Sequence, residues 1–424
     1  METRLVTAAI VVAAVVLGAA VTAGALVGAV VAVLALGLCA LAILGPTRCG
    51  IAALGGAFAT APMYRGIGSV GPITPTDGLL LVGLLLLLPT AARAKMQFPA
   101  GFLAAVTSLT LIALVCSATN ASPIAAVVYL VQWLLVAAVF PIFLVMWSPR
   151  RSIINGLLWC YVAGQFASIA KGFISGPNLF TGRYQGFSHH PNDFGLAGAA
   201  AVAILLYLLP HYRTLRPRAV VLGLVALNLY SVVIMSGSRG ATLAVAAVVV
   251  LIPIAERSGL WALLMTFVGS AGVAVLPFIL KAGGSGSSLS RLAGDKTSQG
   301  SDSERTAALS DGWDKFVHSP FIGTGLDPLV GIYHNVYLES AIAFGIFGVV
   351  AYLAYLYVFA RPMFTTHPLR RLSYLTWLFL VIGVTFPGLN DRTIAIPMAV
   401  GILATVPWRH AESDVPENEA VAAR

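Results

Sequence analysis

Along this chain, apolar runs of about 20 residues, the length a membrane-spanning helix needs, alternate with short polar breaks. Clear runs lie at residues 5–24, 26–44, 76–92, 100–117, 122–147, 153–175, 193–210, 218–236, 238–254, 258–281, 332–360, 373–389 and 393–407. A shorter Gly-rich segment at 50–65 is a weak fourteenth crossing or a re-entrant one. Helices satisfy their own backbone in hydrocarbon, so the pattern predicts an all-α polytopic transmembrane helical bundle of about 12–14 spans. The first apolar stretch continues to residue 44, too long for the core of a cleaved signal peptide, and reads as retained spans.

Composition agrees. Of the 424 residues, 58% are hydrophobic and 10% charged, with a mean hydropathy of +0.91, whereas soluble domains carry about 25% charged residues. No polar stretch reaches roughly 50 residues, the low end for an independent domain, so residues 1–424 read as a single integral membrane domain. The net charge of +9 is spread in singles and pairs between apolar runs. That is the pattern of topology determinants, and it implies a lipid bilayer and no nucleic acid as partner. Cys39, Cys49, Cys116 and Cys160 form no CxxC pair and read as small hydrophobes.

The positive-inside rule orients the bundle. Arg93 with Lys95, Arg150 with Arg151, Arg213 with Arg216 and Arg218, Arg257, and Arg361 with Arg370 and Arg371 fall in alternating loops. All become cytoplasmic together. Arg4 and Arg48 join them only if 50–65 crosses, which favours fourteen spans with both termini inside and a cytoplasmic tail at 409–424. Four segments then face outward: a loop at 176–192, a tight turn at 236–240, a long loop at 282–331, and the turn Asn390-Asp391-Arg392.

Those outer segments hold most of the remaining unusual polar residues. The first contains Gly182-Arg183-Tyr184-Gln185-Gly186-Phe187-Ser188-His189-His190-Pro191-Asn192 and ends at a predicted helix N-terminus, where free N–H groups favour an anion. The histidine pair lacks helical ligand spacing and has no carboxylate cluster beside it, so a metal is not expected there. The second, Ser236-Gly237-Ser238-Arg239-Gly240, joins two spans with almost no loop and holds Arg239 at the membrane boundary. Its planar fork suits phosphate oxygens, although snorkelling to headgroups would explain it too. The third, His334-Asn335-Val336-Tyr337-Leu338-Glu339, opens a span. His334 can exchange a proton near neutral pH, and Glu339, one turn into an apolar helix and sharing a face with Asn335, is a functional candidate.

The long loop carries a Ser301-x-x-Glu304 capping-box pattern, followed by Leu309, Trp313, Phe316 and Val317 at helical spacing. These predict an amphipathic surface helix over 303–318, ended near Pro320. Arg291 and Arg305 are the loop cations placed to reach a phosphate. Asp302-Ser303-Glu304 resembles an acidic metal triplet, but capping explains it better. Asp391 is expected to pair with Arg392 or with a site arginine. Cations gathered on one outer face suggest an anionic, lipid-linked substrate.

The order of these motifs resembles the O-antigen ligase and polymerase superfamily of polytopic envelope glycosyltransferases. RxxGxxxHxN falls at Arg183 to Asn192, SxSRG at Ser236 to Gly240, PFIGTGL at Pro320 to Leu326, and HNxYLE at His334 to Glu339; the likeness covers roughly residues 150–400. It implies transfer of a glycan from a polyprenyl diphosphate carrier to a hydroxyl of a glycan, lipid or protein acceptor. No metal or other cofactor is implied, and the site would face the extracytoplasmic side of the inner or plasma membrane. By the resemblance, Arg183 and Arg239 bind the diphosphate and His334 acts on the acceptor. Arg305, Arg291, His189, Asn192, Ser238, Asn335, Tyr337, Glu339 and Arg392 complete the expected substrate site. The alternative is a transporter or flippase of an anionic lipid-linked substrate. It would need polar groups near the bilayer midplane and an internal repeat; the scarcity of midplane charges and the lack of an evident repeat speak against it.

Overall fold

The computed structural model describes residues 25–63, 73–92, 98–120, 122–178, 181–260, 262–267, 269–270, 287–292, 296–326, 333–389 and 391–408. The described residues are helical, with no strand among them. α1 (Ala25–Thr60) bends at Gly45–Pro46, close to where the Arg48 loop is expected. The weak segment at 50–65 is helical through Thr60 and continues as a short 3₁₀ turn, Ala61–Met63. α2 (Pro75–Ala91), α3 (Ala100–Ala118), α4 (Pro123–Trp147), α5 (Arg151–Ser175), α6 (Pro191–Leu208), α7 (Leu215–Tyr230) and α8 (Arg239–Glu256) follow. Then come α9 (Lys296–His318), α10 (Val336–Ala360), α11 (Tyr374–Ile382) and α12 (Arg392–Ala399).

Eight helices among the described residues are long and apolar enough to cross a membrane, and two shorter apolar helices, Pro75–Ala91 and Arg392–Thr405, accompany them. The expected span at 5–24, much of that at 258–281, and the tail at 409–424 lie outside the described residues.

The core forms around α6, which is apolar on every side and buried on nearly every side. It packs against α5, α7, α8, α11 and α12. Leu85, Leu111, Val131, Phe173, Val250 and Val350 point outward and stay exposed, an apolar surface of the kind a membrane covers. A buried ion pair ties α2 to α12: Arg392 Nε donates to Asp77 Oδ1 at 2.9 Å. Asp77 also closes a capping box with Thr74 at the start of α2.

Three predicted elements differ from expectation. The amphipathic helix spans Lys296–His318, so Ser301 lies inside it and not at its N-cap position. The free N–H groups that a cap would satisfy belong to the helix start, which lies upstream. The run at 373–389 is helical only over Tyr374–Ile382; Gly383, Pro387 and Gly388 follow, and the backbone there is irregular. The span from 336 to 360 is broken at Gly345.

Candidate functional site

α8 is 18 residues long, about 27 Å at 1.5 Å per residue, and separates two polar clusters. At its C-terminal end Arg371 forks onto Glu256 (Nε to Oε1, 2.6 Å), with Arg370 and Tyr374 beside it. At its N-terminal end lies Arg239, and Arg183, Arg291 and Arg305 gather around it, whereas Arg392 does not join them.

The turn between α7 and α8 is the anchor. α7 ends in a π-helical turn, Ser231–Met235, a distortion that recurs at functional sites. The carbonyls of Ser236 and Gly237 then face the site. Arg183, buried to 7% exposure, donates from Nε to the Ser236 carbonyl and from Nη2 to Asn192 Oδ1 at 2.7 Å. Arg291, equally buried, donates from Nη1 to the Gly237 carbonyl at 3.0 Å. Tyr184 N–H donates to the Met235 carbonyl at 2.9 Å and docks the Arg183 loop on the same turn. Ser238 caps α8, accepting from Ala241 N–H. Arg239 extends toward α9, where Asp302 receives its guanidinium with both oxygens.

Four guanidiniums therefore share one small volume. Burial first, and then repulsion from Arg291, Arg305 and Arg239, lower the Arg183 pKa to about 9. Arg305 is lowered by burial and by Arg239, against the pull of Asp302. Asp302 is held below the usual carboxylate range by its bond to Arg239, with Arg305 and Arg291 also acting on it. Mutually repelling cations held in place by neutral carbonyls form a site that an anion stabilises.

His190 caps α6, its Nδ1 accepting from Asn192 N–H at 3.1 Å. Burial, and then Arg183, His334, Arg305 and His189, lower its pKa to about 4 and keep it neutral. Asn192 thus fixes both Arg183 and the helix start. Of the histidine pair, the expectation named His189; the structure gives the defined place to His190, which is also where the histidine of RxxGxxxHxN falls.

His334 sits just before α10 with φ 54°, a backbone region that non-glycine residues seldom adopt outside constrained sites. Its Nδ1 is buried and makes no hydrogen bond in this structure. Burial and the charge of Arg305 lower its pKa below the ordinary histidine value, and Glu304 partly opposes them. His334, His190, Arg183 and Arg305 thus act on one another's charge. The distant segments converge.

Other expected residues hold the frame. Asn335 caps α10, accepting from Tyr337 and Leu338 N–H at 3.0 Å each. Tyr337 donates its hydroxyl to the Leu380 carbonyl at 2.6 Å. Glu339 accepts from the backbone of Gly388 and Leu389 at 3.1 and 3.4 Å. It satisfies the irregular backbone after α11, a role the sequence did not suggest. Arg392 meets Asp77, a partner the sequence reading did not name, and Asp391 caps α12 through Thr393 N–H. Asn390 lies outside the described residues. Among the described residues no three His, Cys, Asp or Glu side chains assemble into a metal-holding group; Asp302 of the acidic triplet is engaged by Arg239.

One comparison with known proteins bears on these motifs. Residues 223–353 match the O-antigen ligase family. That stretch contains the Ser236–Gly240 turn, α8, α9 with Asp302 and Arg305, and His334 through Glu339. The O-antigen ligase match supports the resemblance and a membrane glycosyl-transfer role of the ligase or polymerase type. No curated protein matches the chain. His190, Asp302 and the two turn carbonyls are site groups the sequence reading missed; only the RxxGxxxHxN register pointed to the first.

Proposed function

We propose that this protein transfers a glycan from a polyprenyl diphosphate carrier to an acceptor hydroxyl at the extracytoplasmic end of the bundle. The observation that carries the reading is the convergence of Arg183, Arg239, Arg291 and Arg305 beside His334. In such a transfer the acceptor oxygen bonds to the anomeric carbon as the bond from that carbon to phosphate oxygen breaks. The diphosphate leaves with added negative charge, and the hydroxyl proton must go to a base. Preorganised cations stabilise that charge where it develops, so the guanidiniums supply what a metal ion supplies elsewhere. A histidine held neutral by burial and a nearby cation accepts the proton.

In this reading Arg183 and Arg291 are fixed receptors for the diphosphate. Arg239 exchanges Asp302 for phosphate oxygen, and His190 and Asn192 hold the entry loop in shape. The experiment is deletion of the gene with complementation by Arg239→Ala and His334→Ala. The expected result is loss of the finished envelope glycan, with intact membrane insertion of both variants. Normal glycan from both variants would contradict the proposal. The lipid-linked species that accumulates separates the two transfer classes: a single unit on the carrier means polymerase, a full polymer means ligase.

A further inference from the structure

The PFIGTGL motif makes no contribution to the cation cluster, yet it is knitted into the break in α10. A helix broken in an apolar setting leaves carbonyl and N–H groups that must find partners. At Gly345 (φ 65°, ψ −174°) those partners come from the segment after α9. Thr324 N–H donates to the Ile342 carbonyl at 2.7 Å, Gly325 N–H to the Ala343 carbonyl at 2.9 Å, and Ile346 N–H to the Pro320 carbonyl at 2.9 Å. The Thr324 hydroxyl adds a second bond to Ile342 at 3.2 Å. The two backbones touch: a Cβ on Gly323 would stand 2.3 Å from the Ala343 carbonyl, and one on Gly345 would stand 2.3 Å from the Phe321 oxygen. From the other side, the Asn120 amide at the end of α3 donates to the Thr324 carbonyl.

We infer that this segment is a positioning clamp for His334: it holds α10 broken at Gly345 and thereby sets the half-helix, Val336 to Phe344, that His334 opens. The half-helix is held elsewhere too. Val336 N–H donates to the Gly383 carbonyl at 2.8 Å, and Gly312 of α9 lies against Tyr333 and Leu338. The clamp is the piece that joins these elements, because it follows α9 directly and meets both α3 and α10. Arg183 and Arg291 are anchored separately, on the Ser236–Gly237 carbonyls, and none of the clamp bonds reaches that turn. Loosening the clamp therefore moves the proton acceptor and leaves the fixed receptors Arg183 and Arg291 in place. This inference rests on the proposed transfer reading.

The test uses full-length protein in lipid nanodiscs, with Gly345→Ala and Asn120→Ala. Three quantities are read: binding of polyprenyl diphosphate without a glycan, kcat with lipid-linked glycan extracted from gene-deleted cells, and the pH profile of kcat. A misplacement of about 1 Å can cost about 10²-fold in rate. Gly345→Ala should lower kcat by about that factor and Asn120→Ala by less. Both should shift the acid limb of the profile while leaving diphosphate binding within about twofold of the parent. Unchanged kcat and pH limb in a folded variant would overturn the clamp, as would loss of binding in step with kcat. If Gly345→Ala does not fold, Asn120→Ala decides on the same readouts. Failure of the underlying reading looks different: the parent protein itself would show no turnover.

Discussion

At the scale of single residues, the site sets four guanidiniums in one another's field, with Asp302 on Arg239 and Glu304 acting on His334. His334 is the group whose protonation should be visible. Burial and Arg305 lower its pKa below 6.5, so the neutral, proton-accepting form predominates at neutral pH. Activity should then be level around pH 7 and fall as the pH drops below the ordinary histidine value, when the imidazole charges. Replacing Arg305 by Gln removes a repelling cation, and the acid limb should move to higher pH. A limb that stays in place in Arg305→Gln would show that this charge does not act on the titrating group. Asp302 receives the Arg239 guanidinium with both oxygens, so in the proposed reading it competes with the diphosphate for this cation. Asp302→Asn should therefore tighten donor binding and lower KM several-fold, because the diphosphate no longer displaces a carboxylate. A weaker-binding Asp302→Asn protein would mean that Asp302 instead holds Arg239 in a productive position. Little of this was legible in advance. The cations stood out because charge at a membrane boundary is rare, but the Arg239–Asp302 pair spans two elements that nothing local connects. The local Ser301-x-x-Glu304 pattern pointed to a cap instead.

At the scale of elements, apolar run length revealed where helices lie and hid where they stop. Glycine is common in membrane helices, so neither Gly345 nor Gly383 announced a break within its run. At both breaks backbone groups bond to partners remote in sequence: Pro320 to Gly325 at α10, and the Glu339 carboxylate after α11. The turn at Ser236 to Gly240 was legible because it is a polar interruption between two unmistakable spans. α2 and α12 are joined by the Arg392–Asp77 pair, whose side chains are 6% and 7% exposed. Breaking a buried ion pair by removing one partner typically costs about 3–5 kcal/mol. Asp77→Ala should lower the thermal unfolding midpoint of the purified protein clearly. An unchanged midpoint would remove this pair from the forces that hold α12.

At the scale of the whole molecule, α8 separates two polar ends with different charge chemistry. One end pairs its arginines with Glu256 and backbone carbonyls, as in Arg257 donating to the Phe364 carbonyl at 2.6 Å. At the other, four guanidiniums lie in one another's field, with Asp302 receiving Arg239. The first end coincides with the loops that the positive-inside rule assigns to the cytoplasm, and the second with the loops left for the outer face. A transporter would need its polar groups near the bilayer midplane, whereas the arginines and His334 lie at the end of α8, α6 and α10. The central claim is that guanidiniums at this end take the diphosphate and His334 takes the proton. The most direct measurement is transfer by the purified protein in proteoliposomes supplied with lipid-linked glycan, with donor binding measured in parallel. Arg239→Ala should weaken donor binding and slow transfer by about 10²–10³-fold. His334→Ala should retain donor binding and slow transfer by about 10²–10⁴-fold. Transfer at the parent rate by His334→Ala, or donor binding indifferent to Arg239, would contradict the account.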